Sequence, residues 1–424
     1  MKVAVVGGGS TYTPELVDGM ARLAGRAGIS ELVLIDPDSA RLDVVGPFSA
    51  RIMRAAGHPA RLRWTADLDD GLDGAGAVLL QLRIGGQAAR QRDETWPLEY
   101  GSVGQETTGA GGFAKALRTV PVVLDIAERA RRRAAAGAWI IDFTNPVGIV
   151  TRALLDAGHR AVGLCNVAIG FQRSFAAMLG VEPGEVSLDH VGLNHLTWER
   201  AVLVNGRDRL PELLATHGAE IVEKTGQPAG VLQELGVVPS YYLRYFYCHD
   251  AVVAEQRRQT TRAEEVARLE RELLALYADP ALDRKPELLG ERGGAYYSEA
   301  AVALLASLVT DRRDTQVVNV RNAGTMPFLP DEAVIEVPAV IGADGARPVP
   351  VAPLDPLLRG LTGHVSAYEE LAVEAAVRGG RRRVLAALLA HPLIGQYDLA
   401  GQLADRLIAE NQAYLPWADT AAAR

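Results

Sequence analysis

Cysteine is nearly absent from this chain. Two stand in 424 residues, Cys165 and Cys248. That excludes a disulfide framework and makes a reducing cytoplasm the expected setting. Positive charge is also in deficit: Lys+Arg number 44 against Asp+Glu 52, a formal net charge of −8. The balance argues against a nucleic-acid or anionic-membrane partner and leaves room for a local basic pocket. No apolar run approaches the length of a membrane span. Val3–Val6 is too short for a signal peptide and runs straight into glycines. Internal repeats are lacking. What remains is a globular chain, 48% hydrophobic, longer than one core usually holds. Two lobes are expected, residues 1–165 and 166–424.

The most informative stretch is at the start. Lys2–Val6 is a short apolar run, Gly7-Gly8-Gly9-Ser10 follows at once, and Thr13-Pro14-Glu15 opens helical spacing through Leu16, Met20 and Leu23. Strand, glycine turn and helix N-terminus together form a phosphate cradle, because bare backbone lets a pyrophosphate approach free N–H groups. A second apolar run, Leu32–Ile35, ends in Asp36, where a carboxylate can accept from a ribose hydroxyl. The motif lacks its third glycine, since Tyr12 stands there. An ordinary tight turn is the alternative.

Further apolar runs lie at Ala77–Leu82, Trp139–Asp142 and Ala161–Cys165, separated by helical stretches. This rhythm predicts an α/β fold: right-handed βαβ units forming a Rossmann-like domain with a mostly parallel sheet. Polar clusters follow the runs, including Arg83 to Gly86, Thr144-Asn145-Pro146 and Asn166, and ligands bind beyond such strand ends. After residue 166 the rhythm changes. Val186–Leu196 and Trp198–Asn205 read as pairing strands, Thr260–Tyr277 and Ser298–Leu308 as helices, and Gln316–Val320 and Ala333–Val337 as strands. The last stretch is helical, broken at Gly379-Gly380 and His391-Pro392. The second lobe is thus expected to be mixed α+β and rich in helices. The basic runs Arg131–Arg133 and Arg381–Arg383 read as solvated helix faces.

Several residues have both a bland and a chemical reading. Cys165 and His195 suit a metal, but a buried cysteine is usually a small hydrophobe and a lone histidine a satisfied core residue. Gly104 to Phe113 is either a surface loop or a loop that approaches a ligand. The tyrosine-rich stretch Pro239 to Tyr247 is an aromatic patch, or it holds a base whose pKa a cation lowers. Arg292-Gly293-Gly294 is a surface loop or an oxyanion site.

Taken together and in order, these stretches resemble glycoside hydrolase family 4, the NAD- and divalent-metal-dependent glycosidases. The resemblance covers Val5–Ser10, Gly104–Gly109, Thr144–Pro146, Gly163–Asn166, Gly192–His195 and Arg292–Ala295, and continues through Asn322-Ala323-Gly324, Leu329-Pro330 and Val337-Pro338. This family is an exception to the two-carboxylate scheme of glycosidases. The resemblance implies that NAD⁺ oxidises the sugar at C3, a base takes the acidified C2 proton, and the C1 substituent is eliminated. Water then adds and the hydride returns. It implies Gly7, Gly8, Gly9, Ser10, Thr11 and Asp36 at the NAD, Cys165 and His195 as ligands of a metal, Mn²⁺, and Tyr242 or its neighbour Tyr241 as base. Arg83, Asn145, Asn166 and Arg292 would contact substrate. Asn166, in place of an aspartate, implies the 6-phospho-β-glucosidase branch, acting on a phosphorylated disaccharide or aryl glucoside in the cytoplasm. A homodimer or homotetramer follows by analogy. The rivals are a family member acting on α- or unphosphorylated glycosides, a lactate- or malate-type dehydrogenase using His195 for proton transfer, and a nucleotide-binding sensor.

Overall fold

The computed structural model describes residues 1–22, 28–294 and 296–418. Leu23 and Ala295, which figured in the sequence reading, lie outside them. Six strands form the parallel part of one sheet: β1 (Lys2–Val6), β2 (Glu31–Ile35), β3 (Arg61–Thr65), β4 (Ala77–Leu80), β5 (Trp139–Asp142) and β6 (Ala161–Gly163). Their order, β3-β2-β1-β4-β5-β6, is that of the dinucleotide-binding fold, with the switch point between β1 and β4.

Five of these strands fall on the predicted apolar runs. The sixth, β3, was not predicted. It is an edge strand whose Arg61 and Arg63 alternate with half-buried Leu62 and Trp64, so it presents no continuous apolar run. The central strands are buried on both faces and, after a charged first residue in β1 and β2, read as unbroken Val, Ile, Leu and Ala.

The later strands make two additions. A smaller antiparallel sheet contains β7 (Val186–Leu193), β8 (Leu196–Val204), β9 (Arg207–Asp208) and β10 (Val238–Pro239). The paired strands predicted from Val186 onward are these. Then β11 (Asp314–Arg321), β12 (Val334–Gly342) and β13 (Gly345–Pro348) join the large sheet antiparallel, beyond β6, giving nine strands. The second half of the chain therefore completes the sheet that the first half begins, and one hydrophobic core runs across it. The predicted helices appear as Arg262–Tyr277 and Tyr297–Thr310, and the C-terminal helices as Pro356–Arg378, Arg381–Leu389 and Tyr397–Asn411.

The stretch Gly104 to Phe113 is part helix and part cavity-lining loop, and so is not the surface loop that was one of its two readings. Residues from Gly109 onward form the first turn of a helix running to Arg133, and that turn is buried. In the remaining loop, Gly104 to Thr107 line the cavity described below. Among the described residues, no helix is long and apolar enough to cross a membrane.

Candidate active site

A cavity of about 890 Å³ opens beyond the carboxyl ends of β1, β4 and β5. At one end lies the glycine turn. Gly7 and Gly8 donate their N–H groups to Ile35 O, both at 2.9 Å. Gly7 has φ +88°, and a Cβ there would stand 2.5 Å from Gln81 O, so glycine is required. Asp36 braces the turn: one carboxylate oxygen accepts from Gly9 N at 3.0 Å and the other from Asp38 N at 3.0 Å. Burial raises its pKa, and those two N–H groups work against the rise. Arg41 Nε donates to Gly9 O at 2.9 Å.

Arg292 reaches this same turn from the other half of the chain. Its Nε donates to Thr11 Oγ1 at 2.6 Å, and its Nη2 lies 3.1 Å from Glu270 and 3.4 Å from Ser10 Oγ. Thr11, expected to face the nucleotide, is fully buried, with its hydroxyl turned to Glu270 at 3.2 Å and its carbonyl accepting from Tyr277 OH at 2.8 Å. Glu270 is buried, which favours its neutral form, but Arg292 and Arg41 outweigh that and hold its pKa below the ordinary range.

Toward the middle, three cations surround one carboxylate. Glu106 takes Lys115 Nζ at 2.7 Å and Arg90 Nη2 at 3.3 Å, and pairs closely with Arg83. Burial alone would neutralise Glu106, yet these cations hold its pKa well below the usual value. Burial carries Lys115 down to about 8 against the opposing pull of Glu106. Glu94 also pairs with Arg90 Nε at 2.7 Å, so three positive charges stand against two negative, and the surplus of one leaves this part of the cavity suited to an anion. Asn145, between β5 and the next helix, lines the cavity with a buried Oδ1 that lacks a hydrogen-bond partner. A substrate hydroxyl would satisfy it. Asn166 lines the same cavity.

Cys165 and His195 do not line this cavity themselves: His195 lies behind Tyr242, which does and which stacks on it, and Cys165 lines a second cavity. Cys165 follows β6 and is buried. Burial raises its thiol pKa, Glu336 adds to the rise, and a hydrogen bond with Tyr297 opposes it. His195 stands in the two-residue turn between β7 and β8, where Leu193 pairs with Leu196. Its φ is +62°, an uncommon conformation for a side-chain-bearing residue. The turn closes because Gly192 has φ +139°, where a Cβ would stand 2.0 Å from Leu196 O.

A buried polar group clamps the turn from behind. Glu336, on β12, accepts from Asn194 Nδ2 and Asn319 Nδ2, each at 2.9 Å, and meets His190 Nε2 at 3.2 Å. His190 Nδ1 meets Glu199 at 2.6 Å. Burial opposes a charge on His190, but the two carboxylates carry its pKa up to about 10, so it is an imidazolium.

The two tyrosines left open by the sequence differ sharply. Tyr242 is stacked on His195 with ring centroids 3.6 Å apart and planes 6° from parallel. Burial raises its pKa, with Cys165 and Glu106 adding to the rise. Tyr241 is 41% exposed, and its hydroxyl accepts from Arg244 Nη1 at 2.9 Å.

The donor set fits a divalent metal that also takes ligands from a substrate. Burial pushes His195 down to about 4, leaving the neutral imidazole that binds metals. A thiol and an imidazole supply two donors, and among the described residues no group of three or more His, Cys, Asp or Glu could hold an ion unaided. The glycine turn, with Asp36 beyond it, fits a dinucleotide.

Sequence reasoning did not identify Glu106, Thr107, Arg90, Lys115, Glu270 or Glu336 as site residues. The first two lie in the glycine-rich stretch that was singled out. The others sit inside helices or a strand without a local signature.

A sequence model described as "Family 4 glycosyl hydrolase" matches residues 2–181, and one described as "Family 4 glycosyl hydrolase C-terminal domain" matches residues 190–394. The chain is 36% identical to a probable 6-phospho-beta-glucosidase of Bacillus subtilis, over 98% of this chain and 97% of that protein. It is 34% identical to the 6-phospho-beta-glucosidase of Escherichia coli, over 98% and 96%. Among solved structures, the 6-phospho-beta glucosidase of Thermotoga maritima with manganese, NAD+ and glucose-6-phosphate superposes with a TM-score of 0.92 at 32% identity, covering 98% of this chain and 99% of that one. The chain belongs to family 4 of the glycosyl hydrolases.

Proposed function

We propose that this chain is an NAD- and Mn²⁺-dependent glycosidase that cleaves 6-phospho-β-glucosides, working on phosphorylated disaccharides or aryl glucosides in the cytoplasm. The observation that carries the proposal is the Tyr242 ring, which lines the same cavity as the glycine turn and stacks at 3.6 Å on His195, with Cys165 near enough to raise its pKa. That arrangement joins a base, a ligand pair and a nucleotide cradle around one small sugar.

When bound, the two groups supply reversible hydride exchange at C3 and Lewis-acid stabilisation of charge on the C2 and C3 oxygens. The residues do the rest. Tyr242 removes the C2 proton and returns it after water has added. Its burial raises its pKa, so a nearby cation is needed to make the phenolate accessible. Cys165 and His195 hold that cation. Asn145 and Asn166 orient the sugar hydroxyls, and Asn166 cannot act as an acid, so the leaving oxygen takes its proton elsewhere. Arg83, with Arg90 and Lys115 behind it, offers the cationic wall that a 6-phosphate requires. Arg292 meets Ser10 and Thr11, so we place it where nucleotide and sugar adjoin.

The experiment is an assay with p-nitrophenyl β-glucoside 6-phosphate, its α anomer and both unphosphorylated counterparts, omitting NAD⁺ and Mn²⁺ in turn. Release of nitrophenol from the phosphorylated β anomer, with catalytic NAD⁺ and no accumulating NADH, is expected. One NADH per product would make the chain a dehydrogenase. Undiminished hydrolysis after removal of all dinucleotide would end the proposal.

A further inference from the structure

An imidazole binds a metal through one ring nitrogen, and the hydrogen bond made by the other decides which. For His195 the loop at Gln105 settles the choice. The Gln105 side-chain oxygen accepts from the backbone N–H of Thr107 and, at 2.8 Å, from that of Thr108. Both are donors without alternative, so the amide oxygen and not its NH₂ faces them.

The Thr107 hydroxyl lies 2.8 Å from the same oxygen. Two oxygens this close need a proton between them, and Thr107 holds the one available. Having given it to Gln105, Thr107 Oγ1 meets His195 Nδ1, 2.9 Å away, as an acceptor. Nδ1 must then carry the ring proton, and Nε2 is left with the lone pair.

We propose that Thr107, oriented by Gln105, is a positioning residue that locks His195 in its Nδ1–H tautomer and leaves Nε2 to bind the metal. The proposal rests on the metal reading given above. It assigns the Gly104–Gly109 stretch a task beyond lining the cavity. The loop fixes one ligand's tautomer, while the neighbouring Asn194 is held by Glu336.

Thr107→Val keeps the shape and removes the acceptor, and Thr107→Ser restores it. Mn²⁺ binding is read by electron paramagnetic resonance of free Mn²⁺, and NAD⁺ binding by fluorescence. Thr107→Val is expected to weaken Mn²⁺ binding about 10- to 100-fold, leave NAD⁺ affinity unchanged, and be rescued by serine. Long-range ¹H–¹⁵N correlations of histidine-labelled wild type, with His195 assigned by His195→Gln, are expected to show a protonated Nδ1. The proposal falls if valine binds Mn²⁺ as tightly as threonine, if serine is as damaging as valine, or if Nε2 carries the proton. The correlations are recorded on the unaltered protein, so they decide the matter even where Thr107→Val disturbs folding. A wild type that binds no Mn²⁺ removes the metal reading itself, and this proposal with it.

Discussion

Gly7, Gly9, Asp36 and Arg41, which shape the nucleotide end of the cavity, come from one βαβ unit and the helix after it. At the proposed sugar and metal end, Thr107, Cys165, His195 and Tyr242 come from four segments separated along the chain, with Glu336 on a fifth. The first end is mostly backbone, so its geometry follows from local turns. The second is mostly side chains, and its geometry exists only once two sheets have packed. The nucleotide end should therefore tolerate loss of the sugar end, and the reverse should hold for metal binding.

The sharpest way to break that comparison is at Cys165. Cys165→Ser replaces a donor that can become a thiolate with one that stays protonated. Turnover is expected to fall by about 10³-fold or more, the several kcal/mol a Lewis acid supplies, while NAD⁺ titration stays normal. If NAD⁺ affinity falls in parallel, the two ends are not independent.

The two tyrosines sharpen the comparison within the sugar end. Tyr242→Phe is expected to lower kcat by about 10²-fold or more and to stop exchange of the substrate C2 proton with solvent, followed by mass spectrometry in D₂O. Tyr241→Phe removes a hydroxyl that faces Arg244 at the cavity mouth, and both readouts should stay near wild type. A reversed pair of results would move the base by one residue.

These contrasts track how much was legible beforehand. The strands β1, β2, β4, β5 and β6 were readable because buried parallel strands are continuous apolar runs, and β3 was not, because an edge strand alternates. The glycine turn and Asp36 were readable for the same local reason. Cys165 and His195 carried no spacing signal and gained a joint role through the family resemblance. Nothing local could place Arg292 against Thr11 and Glu270, since that contact joins residues far apart along the chain. Lys115 and Arg90 sit inside helices with no local signature. Their meaning depends on Glu106, which arrives on a loop between their two helices.

The nucleotide end can be broken separately. Gly7→Ala puts a methyl 2.5 Å from Gln81 O at φ +88°, and the conformation alone costs about 1–2 kcal/mol. NAD⁺ affinity is expected to fall about tenfold with Mn²⁺ affinity unchanged. Equal losses of both ligands would mean that the turn supports the whole cavity and not the cofactor alone.

The smallest effect concerns stability. Asp142 closes β5, fully buried, with its oxygens accepting from Thr144 N at 2.9 Å and Thr151 Oγ1 at 3.3 Å. Burial carries its pKa from 3.8 up to about 8, against the pull of those hydrogen bonds. The folded chain therefore holds a proton there that the unfolded chain has released. This group's contribution to stability is complete below 3.8 and is lost as pH rises through about 8. Asp142→Asn cannot ionise. Its melting temperature should gain on that of wild type between about pH 5 and pH 9, by several degrees. Melting curves that shift in parallel at both pH values would show that Asp142 is ionised in the folded protein, with the hydrogen bonds from Thr144 and Thr151 outweighing its burial.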